Sequence, residues 1–220
     1  MDAVSTTDGT GDETVIGRRG LQPKGVARRQ EILDRAIEVF RERGADGTSL
    51  RRIAEAIGVS HAALLHYFDS REQLLVAVYA HAEIQRNASA DPAVTPGVDT
   101  MIDAAIANVD VPGLVQLYTT LLAASLEAGN DVGREFFSAR FERVRDELTR
   151  AFRRQQADGD IRDDVPAEDL AALLIAASDG LQIQWLLEPS IGLSDTLRTF
   201  GRLLAPAASS TPAPAGIGHA

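Results

Sequence analysis

The sequence contains no cysteine, and this absence excludes disulfide bonds and cysteine-ligated zinc from the 220-residue chain. No uninterrupted apolar run reaches membrane-spanning length, because the best stretch, 170–187, includes Ser178, Asp179, Gln182 and Gln184. The segment from Met1 to Ile16 is acidic and has no apolar secretory core. We therefore expect a cytoplasmic protein with no membrane partner.

Histidine is scarce, and the common catalytic and cofactor motifs are missing. The four histidines are His61, His66, His81 and His219, and none lies in an HExxH motif. The chain also lacks a phosphate-binding loop and a dinucleotide-binding fingerprint. With so few histidines and no cysteine, a nucleophile–base pair is difficult to build. We expect no enzyme activity, no metal site and no cofactor.

The segment from Thr48 to Phe68 has the pattern of two short helices joined by a tight turn. Thr48 or Ser49 is suited to capping the first helix through its hydroxyl. Gly58 stands where a helix ends in the left-handed conformation, which costs glycine little. Four apolar residues at helical spacing predict one buried stripe before the turn: Leu50, Ile53, Ala54 and Ile57.

The second short helix of this segment is predicted to bury one face and expose another. Ser60 is the natural cap, and Val59 can fill the space between the two helices. Leu64 and Phe68 are four residues apart and are expected to point inward. The other faces carry His61, Ala62, Leu65 and Tyr67. The pattern is typical of a helix-turn-helix that places its second helix in the major groove of DNA, and an ordinary helical hairpin is the alternative.

The charge distribution agrees with a nucleic-acid-binding amino end on an acidic body. The net charge is −10, but residues 17–68 carry a local charge of +4 and the remainder carries −14. Lys24 is the single lysine among 21 arginines, so phosphate contacts would rest on arginine and backbone N–H groups. The segment 17–20, with Arg28 and Arg29 beyond it, is either an arm along the DNA backbone or a solvated tail.

Helical periodicity continues through the rest of the chain and predicts an all-α protein. We expect a disordered tail over 1–22, a helix-turn-helix DNA-binding domain over 23–69, a helical ligand-binding and dimerisation domain over 70–204, and a disordered tail over 205–220. Helices are predicted over about 25–43, 70–89, 98–108, 112–128, 132–157, 166–187 and 193–204, in addition to the two short helices. There is no convincing strand and no internal repeat.

The stretch 170–187 is apolar nearly all round, so a single surface is not enough to bury it. Together with the last helix it is predicted to form a four-helix bundle with a second copy of the chain. Small residues would permit close helix approach at Ala171, Ala176, Ala177 and Gly180. The alternative is a central core helix within one subunit.

These features resemble the TetR family of transcriptional regulators. The amino-terminal match covers about residues 29–78 and includes Ile32-Leu33, Ala36, Phe40, Gly44, Thr48, Ile53-Ala54, Gly58-Val59-Ser60, His66-Tyr67-Phe68 and Leu74-Leu75. A looser match, Asp179-Gly180-Leu181 followed by Gln184-Trp185-Leu186-Leu187, resembles the dimer-forming helix of members that include betaine-regulator-like proteins. The resemblance implies an all-helical homodimer in which three amino-terminal helices bind double-stranded operator DNA and later helices enclose a ligand pocket.

The resemblance also implies roles for individual residues in DNA binding. Arg51 sits where an arginine reads guanine or reaches phosphate, and Tyr67 and Arg71 sit where members touch phosphate. The chain departs from the family at Ala62, where glycine is frequent, and at Leu65, where tyrosine is frequent; Leu65 can instead contact a thymine methyl. The full predicted DNA-binding set is Thr48, Ser49, Arg51, Ser60, His61, Ala62, Leu65, His66, Tyr67 and Arg71.

Polar and aromatic residues in the otherwise apolar second domain are candidates for contact with an unknown small-molecule ligand. They are Tyr118, Ser125, Phe137, Arg140, Phe141, Ser178, Gln182 and Trp185. A polar or aromatic residue at helical spacing more often belongs to the core or to the dimer surface, and Trp185 is equally suited to the dimer interface. We expect a repressor released from a palindromic operator when ligand tilts the helix over 70–89. The alternatives are a ligand-independent DNA binder and a helical adaptor for another protein.

Overall fold

The computed structural model describes residues 23–43, 50–88 and 96–206 of the chain. The described residues form helices and connecting turns and contain no strand, as predicted. The helices are α1 Pro23–Arg43, α2 Leu50–Ala56, α3 His61–Tyr67, α4 Arg71–Ala88, α5 Val98–Val109, α6 Pro112–Ser125, α7 Asp131–Asp158, α8 Ala167–Leu187 and α9 Leu193–Leu203. Both predicted tails lie outside the described residues, apart from Ala205 and Pro206.

Local signals in the sequence explain where several helices begin and end. Gly58 has a φ of +71° and Gly159 a φ of +79°, the left-handed conformation that glycine adopts without strain. The Asn130 side chain accepts a hydrogen bond from Gly133 N–H at 3.1 Å and so begins α7. Ser70 accepts from Gln73 N–H at 3.0 Å and so caps the start of α4.

The first hydrophobic core joins the amino-terminal helices to the body of the protein. It extends from Ile32 and Phe40 of α1, through α2 and α3, to Leu74 and Val78 of α4 and onward to Leu117 of α6. Because α4 contributes to this core along much of its length, it connects the helix-turn-helix to the later helices through packed side chains. A movement of α4 would therefore also displace α2 and α3, which share this core.

The second hydrophobic core lies between α5, the later part of α7, α8 and α9. Its fully buried members include Phe152, Leu174 and Leu197. Ala171 of α8 is also completely buried here, so it packs within the subunit and is not available for the close approach of a second copy. Among the described residues, α8 is the one helix whose length and hydropathy match a membrane span, and its inner face fills this core.

Candidate DNA-binding surface and interior polar cluster

The turn between α2 and α3 is held by backbone and side-chain hydrogen bonds. Val59 N–H donates to the Ala54 carbonyl at 2.9 Å, and Ser60 Oγ accepts from Ala63 N–H at 3.0 Å. Leu64 and Phe68 are almost completely buried in the first core, as predicted. These contacts fix α3 as a short rod with one buried face, which is the arrangement of a helix-turn-helix.

The outer face of α3 is exposed and carries no lysine, arginine or carboxylate. His61, Ala62 and His66 are exposed, and the Leu65 side chain is 42% exposed. Tyr67 is half-buried against the core, with its ring edge-on to His66 at a centroid distance of 5.0 Å. Most groups that this face offers to a partner are therefore aliphatic or imidazole groups.

Arginines lie on the two helices that precede and follow α3 in the chain. Arg51 on α2 is exposed, and its Nε lies 3.0 Å from Glu55 Oε1; a solvated pair of this kind is worth only about 0–1 kcal/mol and is easily exchanged for phosphate. Arg71 begins α4, with a guanidinium nitrogen 3.7 Å from Glu72. Thr48, Ser49 and the basic segment 17–20 lie outside the described residues.

Two arginines of α1 contact the helix-turn-helix at Phe68 and at the Ile57 carbonyl. Sequence reasoning did not predict these contacts. The Arg29 guanidinium lies 4.9 Å from the centre of the Phe68 ring, and burial lowers the pKa of Arg29. Arg35 donates to the Ile57 carbonyl at 3.0 Å, at the carboxyl end of α2. Arg29 is thus turned toward the protein core, although the sequence had placed it near a possible arm on DNA.

An aromatic cluster lies among α4, α6 and α7. Tyr79 and Tyr118 have ring centroids 5.3 Å apart, and Phe137 packs edge-on to Tyr118 at 5.7 Å. The Arg140 guanidinium lies over three rings, 5.3 Å from the centre of Tyr118 and 5.9 Å from the centres of Tyr79 and Phe141. The structure therefore brings together four predicted ligand residues: Tyr118, Phe137, Arg140 and Phe141.

Two carboxylates complete this cluster. Glu83 of α4 is buried and accepts from Arg140 Nε at 2.9 Å and from a guanidinium N–H of Arg143 at 3.1 Å, while Arg86 lies 3.6 Å away. Tyr118 Oη donates to Asp179 of α8 at 2.8 Å. Arg140 consequently lies between Glu83 on α4, the helix that follows the helix-turn-helix, and the hydrogen-bonded pair of Tyr118 and Asp179.

Burial and charge shift the titration of these groups. Burial raises the pKa of Tyr79 to about 12 and raises the pKa of Tyr118, to which the neighbouring Asp179 charge adds. Burial also raises the pKa of Asp179, against the opposing effects of the Tyr118 hydrogen bond and Arg140. Burial alone would lower the pKa of Arg140, but its aromatic and acidic neighbours raise it. Arg140 thus stays a cation, because its aromatic and acidic neighbours favour positive charge.

A chain of polar contacts links this cluster to two further predicted ligand residues. Gln182 donates to Ser178 within α8 and accepts from Asn108 Nδ2 at 2.8 Å, and Asn108 accepts from Arg86. Arg86 in turn pairs with Glu83. Ser178 and Gln182 therefore belong to an extension of the cluster toward α5.

The sequence matches the models of known protein families and resembles characterised repressors. Residues 32–78 match the family model for bacterial regulatory proteins of the tetR family, and residues 98–205 match the model for the carboxy-terminal domain of BetI-type transcriptional repressors. The HTH-type transcriptional repressor Rv1474c of Mycobacterium tuberculosis is 31% identical over 159 residues, which cover 70% of this chain and 80% of that protein. The repressor AcnR of Corynebacterium efficiens is 30% identical over 158 residues, covering 71% and 81%.

The chain belongs to the TetR family of transcriptional regulators. The fold agrees: a transcriptional regulator from Saccharomonospora viridis, solved in complex with choline, superimposes with a TM-score of 0.63 at 21% identity, covering 80% of this chain and 96% of that one. As a member of this family, the protein is a non-enzymatic, DNA-binding transcriptional repressor. Among its described residues, no group of three or more His, Cys, Asp or Glu side chains is arranged to hold a metal ion.

Two predicted ligand residues of this TetR-family chain lie elsewhere. The buried Ser125 hydroxyl donates to the Leu122 carbonyl of its own helix at 2.7 Å. Trp185 packs against the second core and not in the aromatic cluster. Sequence reasoning missed Tyr79, Glu83 and Asp179 as members of the cluster, because Tyr79 has ordinary core spacing and nothing in a sequence distinguishes a buried glutamate from a solvated one.

The outer face of α8 and α9 is apolar and open. A cleft of about 370 Å³ runs between the two helices, lined by Ala176, Ala177, Gly180, Leu181, Gln184, Thr196, Thr199, Phe200 and Leu203. Leu187 is 84% exposed, and Leu173 and Leu203 are each more than half exposed. The subunit therefore buries one side of α8 and leaves the other side apolar and uncovered.

Proposed function

We propose that this repressor is a homodimer that binds a palindromic operator, with α3 of each protomer in the major groove and the two copies one DNA turn, about 34–36 Å, apart. The observation that carries the proposal is α3 itself, anchored by Leu64 and Phe68 and open to solvent on its outer face. In this proposal residues 23–69 are the DNA-binding domain, residues 70–204 bind ligand and dimerise, and the protein acts in the cytoplasm.

The exposed face of α8 and α9 supports dimer formation. Apolar side chains as exposed as Leu187 and Leu173 are unfavourable in water, whereas a second copy of the same face would bury them. We expect Leu187→Asp to shift the protein to monomer in sedimentation equilibrium. Val132→Asp, which alters an exposed valine on α7, is the control and should leave the dimer intact.

The composition of α3 favours direct reading of thymine. We propose that Ala62 and Leu65 contact thymine C5-methyl groups and that His61 hydrogen-bonds to a base edge, because no charged side chain is present on this helix. Arg51, Arg71 and Tyr67 would contact phosphate or an adjacent guanine. Thr48, Ser49, Ser60 and His66 complete the proposed DNA-binding set.

The aromatic cluster around Tyr118 is the proposed small-molecule site, with Phe137, Arg140 and Phe141 at its centre and Ser178 and Gln182 on its border. Ser125 and Trp185 remain weaker proposals, because their observed contacts lie elsewhere. The proposal is supported by the regulator from Saccharomonospora viridis, which shares the fold and was solved in complex with choline. Ligand-independent DNA binding is the second candidate, favoured because the polar groups of the cluster already bind one another.

Selection from random duplexes, followed by titration of the enriched operator against salt, tests the DNA-binding proposal. If each protomer neutralises about four phosphates, log K should fall against log salt with a slope of roughly −7. Replacing thymine by deoxyuridine in the half-sites removes the C5-methyl groups. This should weaken operator binding by the wild type but have little further effect on operator binding by Leu65→Ala. Absence of an enriched palindrome, or a salt slope near zero, would contradict the proposal and favour a protein-binding adaptor.

A further inference from the structure

The turn between α2 and α3 is held by a side chain of α1. Arg35 donates from one guanidinium nitrogen to the Ile57 carbonyl at 3.0 Å, and its other terminal nitrogen lies 2.9 Å from a Glu31 carboxylate oxygen. The last carbonyls of a helix have no donor within that helix, and a nearby arginine can supply one. Arg35 thus gives the turn a charged donor and is itself oriented by a carboxylate of its own helix.

The Ile57 carbonyl stands immediately before the residues that lead into α3. Gly58 reverses the chain with a φ of +71°, and Ser60 caps α3 by accepting from Ala63 N–H at 3.0 Å. His61, the first residue of α3, is exposed. The first residues of a recognition helix are those that contact base edges. The position of the Ile57 carbonyl therefore helps to set where the base-contacting end of α3 lies.

Arg35 adds direction to an attachment that is otherwise hydrophobic. The apolar faces of α1, α2 and α3 share the first core, but hydrophobic attraction has no preferred direction, whereas a hydrogen bond has one. The neighbouring residue fixes α1 to α4, since Asp34 Oδ1 lies 2.6 Å from His81 Nε2, and Gln30 Nε2 lies 2.8 Å from His81 Nδ1. Adjacent residues of α1 therefore contact α4 and the end of α2.

We propose, on the basis of the proposed function, that Arg35 is a positioning residue for operator recognition, which acts through the Ile57 carbonyl and does not contact DNA. Its side chain is 48% exposed, so a direct phosphate contact is the competing role. The two roles differ in their effect on non-specific binding. Phosphate contacts strengthen binding to every DNA sequence, whereas the position of α3 matters only for the sequence that α3 reads.

The DNA test uses two duplexes of equal length, one enriched from random sequences by the wild-type chain and one scrambled to the same composition. The matched control is Arg41→Met, which removes an exposed arginine of the same helix. Relative to this control, Arg35→Met should bind the enriched duplex about tenfold more weakly, the usual effect of one mismatched base pair, and the scrambled duplex equally well. Arg35→Lys keeps a charged donor and should recover most of the lost affinity. Arg35→Gln replaces the methionine variant if that variant does not fold.

The salt dependence provides a second distinction between positioning and phosphate contact. Arg35→Met should keep the slope of log K against log salt that Arg41→Met shows on the enriched duplex. Loss of one phosphate contact from each protomer would instead make the slope shallower by about 2. The proposal is overturned by that change in slope, by equal weakening on both duplexes, or by Arg35→Lys binding as weakly as Arg35→Met.

A measurement without DNA separates this proposal from the proposed function. Val59 N–H donates to the Ala54 carbonyl at 2.9 Å, so hydrogen exchange at Val59 reports local opening of the turn. In the full chain, Arg35→Met should raise this exchange rate about tenfold and Arg41→Met should not; unchanged exchange in Arg35→Met overturns the proposal. If no duplex is enriched, the proposed function fails and the recognition role fails with it, although raised exchange would still show that Arg35 holds the turn. If a duplex is enriched and Arg35→Met binds it as tightly as Arg41→Met does, the recognition role alone fails.

Discussion

Removing the charge of Glu83 tests whether the buried ion cluster stabilises the protein. In Glu83→Gln the side chain keeps its size, but the guanidinium of Arg140, which is only 13% exposed, loses its carboxylate partner. Breaking a buried ion pair on one side costs about 3–5 kcal/mol. Because Arg143 is 45% exposed and Arg86 keeps its hydrogen bond to Asn108, we expect the lower end, about 3 kcal/mol.

The assay is urea unfolding at one fixed protomer concentration, since dimer formation would make the midpoint depend on concentration. Arg143→Met is the matched control and should lose at most about 1 kcal/mol, because it removes a half-exposed partner of the same carboxylate. The double variant Glu83→Leu/Arg140→Met should recover most of the lost stability, since it replaces both charges by apolar groups. A Glu83→Gln loss no larger than that of Arg143→Met would refute the reasoning.

Three further predictions concern the core, a turn and titration. Leu64→Ala empties a fully buried site in α3 and should cost about 2–5 kcal/mol in urea unfolding and reduce operator binding; an unchanged midpoint would contradict the placement of α3. Gly58→Ala adds a Cβ that meets no atom within 4 Å, so its cost should be only the left-handed backbone strain, about 1–2 kcal/mol. The Tyr79 pKa rises from 10.0 to about 12 on folding, so its neutral form contributes stability that is complete below pH 10 and is lost as pH rises through 12. The stability of Tyr79→Phe should therefore fall less between pH 10 and pH 12 than that of the wild type, as followed by circular dichroism. The same pH dependence in both proteins would refute the assignment.

Much of the fold was predictable because its signals are local. The cap at Ser60 and the left-handed Gly58 depend on neighbouring residues, and the structure confirms both. Helix positions were predicted from the spacing of apolar residues, which depends on the 3.6-residue period of one helix. The inward faces of Leu64 and Phe68 followed from the same rule.

The interior cluster was only partly predictable because its members come from distant segments. Tyr118 and Arg140 attracted attention as polar groups in an apolar region, but their partner Glu83 lies 57 residues before Arg140 on another helix. The apolar character of 170–187 predicted burial on every side, yet a single subunit covers only one side of α8. Periodicity shows which residues prefer to be buried and does not show which chain buries them.

The sequence by itself determined the all-helical architecture, the helix-turn-helix and the family, because caps, turns and apolar spacing act over a few residues. Only the tertiary structure decided that Arg140 lies over three aromatic rings and between two carboxylates. That arrangement depends on how α4, α6, α7 and α8 pack, and packing brings together side chains whose separation along the chain carries no signal of their contact.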